Sequence, residues 1–227
     1  MAETHDHQSN AEAARYYARL GLPIIPSHYP VTLPDLDARG RRRWACSCGT
    51  GQCPTPAQHA KNDLPAEEAT TMPDEPVDQW IKEPRANVAA LTGPVFGILE
   101  LRYPAPACHV IDWLHAQLVA SGPVLLAGPN ALQLLVRPTD PAPCYAPLPS
   151  GGLLRLGGGS LVLLPPSVRV DRYPVRWHGR PPATLTGLPD SEELWAALAH
   201  LPRPDLLDHW RTGDQPDEPA PALAGQP

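Results

Sequence analysis

Asn87-Val-Ala-Ala-Leu-Thr-Gly-Pro-Val-Phe-Gly-Ile-Leu-Glu-Leu-Arg102 is the stretch whose reading decides the fold. It holds two apolar runs of strand length, residues 88–92 and 95–101, joined at the turn dipeptide Gly93-Pro94. Downstream the same grammar continues. Residues 109–120 place Val110, Ile111, Leu114, Leu118 and Val119 at helical spacing. Residues 124–127 and 131–137 read as strands around Gly128-Pro129-Asn130. Residues 153–156 and 161–164 flank Gly157-Gly158-Gly159 and read as a hairpin, and 168–170 and 175–177 pair across Asp171-Arg172. A last helix starts at Asp190, with Glu193 three residues on, and runs to about Leu201. Strands and helices intermingled in this way predict an α+β class.

Upstream, Ser9-Asn-Ala-Glu12 is a capping box ahead of Ala13, Tyr16, Tyr17 and Leu20 on one helix face, with Gly21 as the stop. Pro23-Ile-Ile-Pro26 reads as a short buried strand, and Pro76-Val-Asp-Gln-Trp-Ile81 as a short helix ended by Pro84. Residues 27–60 show no periodicity and carry three cysteines. The expected organisation is a flexible start at 1–10, a domain at 11–204 with a cysteine-rich insertion at 39–60, and a disordered acidic tail at 205–227.

Composition narrows the function classes. The 227 residues carry 32 prolines, one phenylalanine and a net charge of −6, with Lys61 and Lys82 the only lysines among 18 basic residues. No apolar run approaches the roughly 18 residues of a membrane span, and the polar start is no signal peptide, so the expected setting is cytoplasmic, away from membranes. Charge is uneven: residues 63–83 and 205–227 are acidic, whereas 84–189 hold eight arginines against Glu100, Asp112, Asp140 and Asp171. The basic part permits an anionic partner, and the acidic segments permit a protein partner.

Cys46-Ser-Cys48-Gly-Thr-Gly-Gln-Cys53 followed by His59 places four soft or borderline ligands within fourteen residues. That set suits a closed tetrahedral structural zinc, with His59 the least defined member; a reduced loop or a disulfide between two of the thiols are the other readings. Cys108 and Cys144 stand apart and read as buried small hydrophobes.

Several stretches in order resemble the N-terminal primase–polymerase domain of bifunctional DNA primase/polymerase proteins. They are Ala14-Arg-Tyr-Tyr-Ala-Arg-Leu-Gly-Leu-Pro-Ile-Ile-Pro26, the Cys46–His59 cluster, Ala69-Thr-Thr71 with Trp80, Asn87-Val-Ala-Ala-Leu-Thr-Gly93, and Gly159-Ser-Leu-Val-Leu-Leu-Pro-Pro-Ser167 with Tyr173 and Trp177. The resemblance covers about residues 11–201. It implies an RRM-like antiparallel or mixed sheet with an N-terminal helix, a zinc-type loop insertion and a nucleotidyl-transfer centre that uses Mg²⁺ or Mn²⁺. Carboxylates at i and i+2 on one strand face the same way and can share a metal pair.

The chain departs from that pattern at each reacting position. Glu100-Leu-Arg102 stands where the family has Asp-x-Asp, Gln133 where it has a histidine, Leu154 or Arg155 where it has a third acid, and Arg169 where a histidine often follows Pro-Pro-Ser-x. Glu100 is a metal ligand on one reading and a solvated strand residue paired with Arg102 or Arg137 on the other. Arg102, Arg137, Arg155, Ser167 and Arg169 are candidate nucleotide or nucleic-acid contacts; the alternative for the arginines is an ordinary basic sheet face. The expectation is a catalytically degenerate family member that binds single-stranded DNA or a nucleotide, or regulates a process related to DNA replication. A protein-interaction module on the same fold and an active divergent polymerase that needs Mg²⁺ or Mn²⁺ at Glu100 are the alternatives. Arg39-Gly-Arg-Arg-Arg43 adds a short basic patch beside the cysteines.

Overall fold

The computed structural model describes residues 9–61, 69, 71–72, 75–103, 105–128, 130–138, 144–148, 153–157 and 159–204, with the backbone alone for 75–77, 144–146 and 153–157. The expected acidic tail at 205–227 and most of the N-terminal ten residues lie outside the described residues. The chain begins with helix α1 (Asn10–Arg19), strand β1 (Ile24–Ser27), and a strand pair β2 (Pro30–Leu36) and β3 (Arg42–Cys46). Helix α2 (Glu75–Lys82), β4 (Asn87–Leu91), β5 (Gly97–Arg102) and α3 (Ala107–Ala116) follow. The remainder is β6 (Val124–Gly128), β7 (Ala131–Val136), β8 (Cys144–Pro147), β9 (Leu153–Gly157), β10 (Leu161–Leu164), β11 (Arg176–Trp177) and α4 (Ser191–Ala199). The mixed α+β class is as expected.

Ser9 caps α1 as its sequence requires. Its hydroxyl accepts from the Glu12 amide while the Glu12 carboxylate accepts from the Ser9 amide at 2.9 Å, and Gly21, at φ +83°, takes the left-handed turn that ends the helix. The strands form three antiparallel sheets: β1-β4-β10, β11-β6-β7-β5-β9-β8, and the separate pair β2-β3.

The six-stranded sheet is covered on both sides, which is why its strands read as nearly continuous apolar runs. On β5, Leu99 and Leu101 face a core with Leu132, Leu134 and Val136 of β7, Val110 and Leu114 of α3, and Leu194 and Leu198 of α4. Ile98, with Leu125 and Leu135 beside it, faces a second core built by α1, β1, β4 and β10. Burying one such leucine is worth about 1.5–3 kcal/mol. Side-chain alternation therefore places Glu100 and Arg102 on the second face, looking toward the three-stranded sheet.

Two pairs of consecutive strands switch sheets, and the second overturns an expected hairpin. β4 and β5, joined at Gly93-Pro94, do not pair with one another; β4 lies between β1 and β10, and β5 between β7 and β9. Likewise residues 153–156 and 161–164 form no hairpin, because β9 pairs with β5 and β8 while β10 crosses to β4. The two crossings are fastened to each other: the Thr92 amide donates to the Ser160 carbonyl at 2.9 Å, and the Ser160 amide to the Thr92 hydroxyl at 2.9 Å. The pairing expected across Asp171-Arg172 shrinks to a Val168–Pro174 bridge, and β11 joins β6 instead.

Helix α3 stops at Ala116, short of the expected 120. Val119 donates to the Leu114 carbonyl and Leu118 to His115, a Schellman end with Leu118 in the left-handed position at φ +60°. That residue belongs to no helix face; it is 93% exposed. The aperiodic stretch 27–60 contains the β2-β3 pair, whose polar residues and Pro30 and Pro34 erase any alternation.

Candidate functional site

The β2-β3 pair ends on Cys46, and the following loop brings Cys48, Cys53 and His59 back to it. The four ligand atoms lie within 4.8 Å of one another, with Cys46 Sγ 3.3 Å from His59 Nε2. A tetrahedral zinc with bonds of about 2.3 Å holds its sulfurs roughly 3.8 Å apart, so this Cys3His set fits such an ion. All three thiols are free of disulfides, which removes that reading of the loop. Cys46 is buried and accepts from the Ala57 amide at 3.2 Å. The Thr50 amide donates to Cys48 at 3.4 Å, and this backbone contact leads the effects that bring the Cys48 thiol down to about 6. Burial pushes Cys53 up to about 11, so a bound metal would have to supply the charge that strips its proton. The loop is anchored from outside: the His28 ring lies 4.3 Å from that of His59 and its Nδ1 sits 2.8 Å from Ser47 Oγ.

A second site lies between the sheets. A cleft of about 280 Å³, open mouth included, is lined by Gln58, Ile98, Glu100, Gln133, Ser160, Leu161 and Val162. Its polar floor comes from register. Gln133 on β7 and Arg155 on β9 stand directly opposite Glu100 on either side of it. Glu100 is 8% exposed, and its carboxylate accepts from Arg102 Nε at 2.8 Å and from Gln133 Nε2 at 3.2 Å. The Glu100–Arg102 pairing offered by one reading of the sequence is thus present, but the carboxylate is buried rather than solvated. Arg102 itself is largely exposed at the end of the strand. Gln58 reaches in from the cysteine loop and donates to the Leu161 carbonyl at 3.2 Å, so the two sites share a wall.

A profile of the bifunctional DNA primase/polymerase N-terminal domain matches residues 13–191. The chain belongs to that family. No curated protein matches it. The Prim-Pol signature stretch then acquires a structural meaning at Asn87, whose buried amide donates to the carbonyls of His28, Ala57 and Val168 and accepts from the Val168 amide. One side chain thus ties β4 to the cysteine loop and to the segment after β10.

The other residues singled out from the sequence are scattered. Arg102 and Arg155 flank Glu100, whereas Arg137 follows the opposite end of β7 and pairs with Asp190 at the head of α4. Arg169 lies on the turn after β10, 3.6 Å from Asp171. Ser167 is buried and spends its hydroxyl on the Val88 amide and carbonyl, at 2.8 and 2.9 Å. Leu154 occupies its expected place on β9. Gln58 and Ser160 line the cleft without having been singled out; only the spacing of Gln58 from the last cysteine ligand marks it in the sequence.

Proposed function

We propose that this Prim-Pol domain has lost metal-dependent nucleotidyl transfer and keeps its inter-sheet cleft as a binding site for a nucleotide or the phosphates of a single strand, in a process related to DNA replication. The observation that carries the reading is the state of Glu100. Its carboxylate is already satisfied by Arg102 and Gln133, and a guanidinium occupies the i+2 place where a second metal ligand would stand. A metal pair is held by several oxygen ligands; among the described residues Glu100 is the one carboxylate lining the cleft. Arg102 brings a fixed positive charge to its flank, Arg155 stands opposite Glu100 in the register of β9, and guanidinium groups suit phosphate oxygens.

Three thiols and a histidine poised for one ion support a structural zinc in the cysteine loop and a reducing, cytoplasmic setting. Among the described residues, no helix is long and apolar enough to cross a membrane. The test is primer extension with Mn²⁺ and labelled dNTPs, beside equilibrium binding of a labelled nucleoside triphosphate in chelator. The expected result is no incorporation, with binding that survives chelation and falls at least tenfold in Arg102→Ala. Incorporation that disappears in Glu100→Ala would overturn the reading.

A further inference from the structure

The β2-β3 pair is hydrogen-bonded to neither large sheet, so its turn stands clear of the body. That turn is built tightly. The Asp37 carboxylate accepts from the amides of Arg39 and Arg41 and from Arg41 Nε, and the Gly40 amide returns to the Asp37 carbonyl at 2.9 Å. The Asp37 carboxyl is held below its usual range, chiefly by the Arg41 amide. Asp37 therefore spends its charge on the turn, and Arg39, Arg42 and Arg43 stand exposed, with no ion pair among the described residues.

Alternation puts Arg42 on the same face as Trp44, two residues on. The Arg172 guanidinium lies 4.4 Å over the Trp44 ring, carried there by the left-handed turn of the 168–174 segment. Arg42, Trp44 and Arg172 thus line one side of the hairpin, and Arg39 and Arg43 add charge at its tip and reverse. At the other end, β3 runs into Cys46, and the same loop delivers Gln58 to the cleft. A cationic arm is thus anchored at its base beside the Cys3His cluster.

We propose that this arm is a separate binding surface for the sugar–phosphate backbone of single-stranded nucleic acid, with Arg39, Arg42 and Arg43 as phosphate contacts and the Trp44–Arg172 stack as the face against which the strand lies. Exposed guanidinium groups beside an aromatic ring are what sequence-tolerant strand binding uses. The inference rests on the nucleic-acid reading above but not on the cleft, since the arm and the cleft floor share no residue.

The test is fluorescence anisotropy of an end-labelled oligothymidylate with the full chain, across a salt series. Each phosphate contact on a single strand contributes about −0.7 to the slope of log K against log salt. Arg42→Ala/Arg43→Ala is therefore expected to flatten the slope by about 1.4 and to weaken binding about tenfold at low salt. Arg42→Lys/Arg43→Lys should retain most of the slope. Unchanged metal content and melting temperature show that the Ala variant is folded, and unchanged binding of a mononucleotide shows that the cleft is intact. An unaltered slope in the Ala variant overturns the proposal even if the cleft binds nucleotide. So does failure of the oligonucleotide to bind while a peptide of residues 205–227 binds through Arg42 and Arg43, which would make the arm a contact for acidic protein.

Discussion

The cysteine loop and the Glu100 floor lie on either side of Gln58, yet their donor groups have opposite fates. In the loop, three sulfurs and an imidazole nitrogen converge within 4.8 Å, a set that one shared cation could hold. On the sheet, the one carboxylate present has its cation built in as Arg102 and its amide partner as Gln133. The first arrangement is a ligand set open to an ion; the second already holds its partners. A polar cluster inherited by a fold thus reveals its use through what satisfies it, more than through the residue types it contains.

The sharpest way to break the comparison is to remove one sulfur. Mass spectrometry is expected to find one zinc per chain, and Cys46→Ser to abolish it and to erase amide protection across β2 and β3, because structural zinc contributes an apparent 10–16 kcal/mol or so in small zinc modules. Full protection with no metal bound would show that the loop folds by its own hydrogen bonds. Next in size is Arg102→Met. It leaves a nearly buried carboxylate with Gln133 alone, and urea unfolding should register a loss of about 1–2 kcal/mol, the ordinary cost of an under-satisfied polar group discounted for the exposure of the arginine. No loss there would mean that the carboxylate does not depend on its built-in cation. The smallest effect belongs to Asp190, which caps α4 by accepting from the Glu192 and Glu193 amides, the first of which leads in holding its carboxyl below the usual range. A depressed folded value contributes stability that is present above the unfolded pKa of about 4 and is lost as pH falls through the lower folded value. Thermal melts should therefore show a small part of the acid destabilisation below about pH 4 that Asp190→Ala lacks, beside the larger loss from protonation of the Cys3His groups.

Much of this was legible. The Ser9-to-Glu12 box gave α1, the Asp190 and Glu193 spacing gave α4, and the cysteine spacing gave the ligand set, because each is a local device whose partners lie within a few residues. Pairing was not legible. Gly93-Pro94 and Gly157-Gly158-Gly159 read equally well as hairpin turns or as crossings between layers, and only long-range contacts such as Thr92 with Ser160 decide between them. Leu118 failed for a related reason: apolarity placed it on a helix face, whereas the backbone used it to end the helix. The β2-β3 arm has no buried face to imprint a period of two on its sequence. At the candidate site, a lone Glu100 two residues ahead of Arg102 was plain, but the engagement of Gln133 and the arrival of Gln58 depend on register and on the closing of the cysteine loop.

The clasp between Thr92 and Ser160 has a mechanical corollary. Both connections between the two layers are buckled at one point, so the layers share a common seam at Thr92 and Ser160.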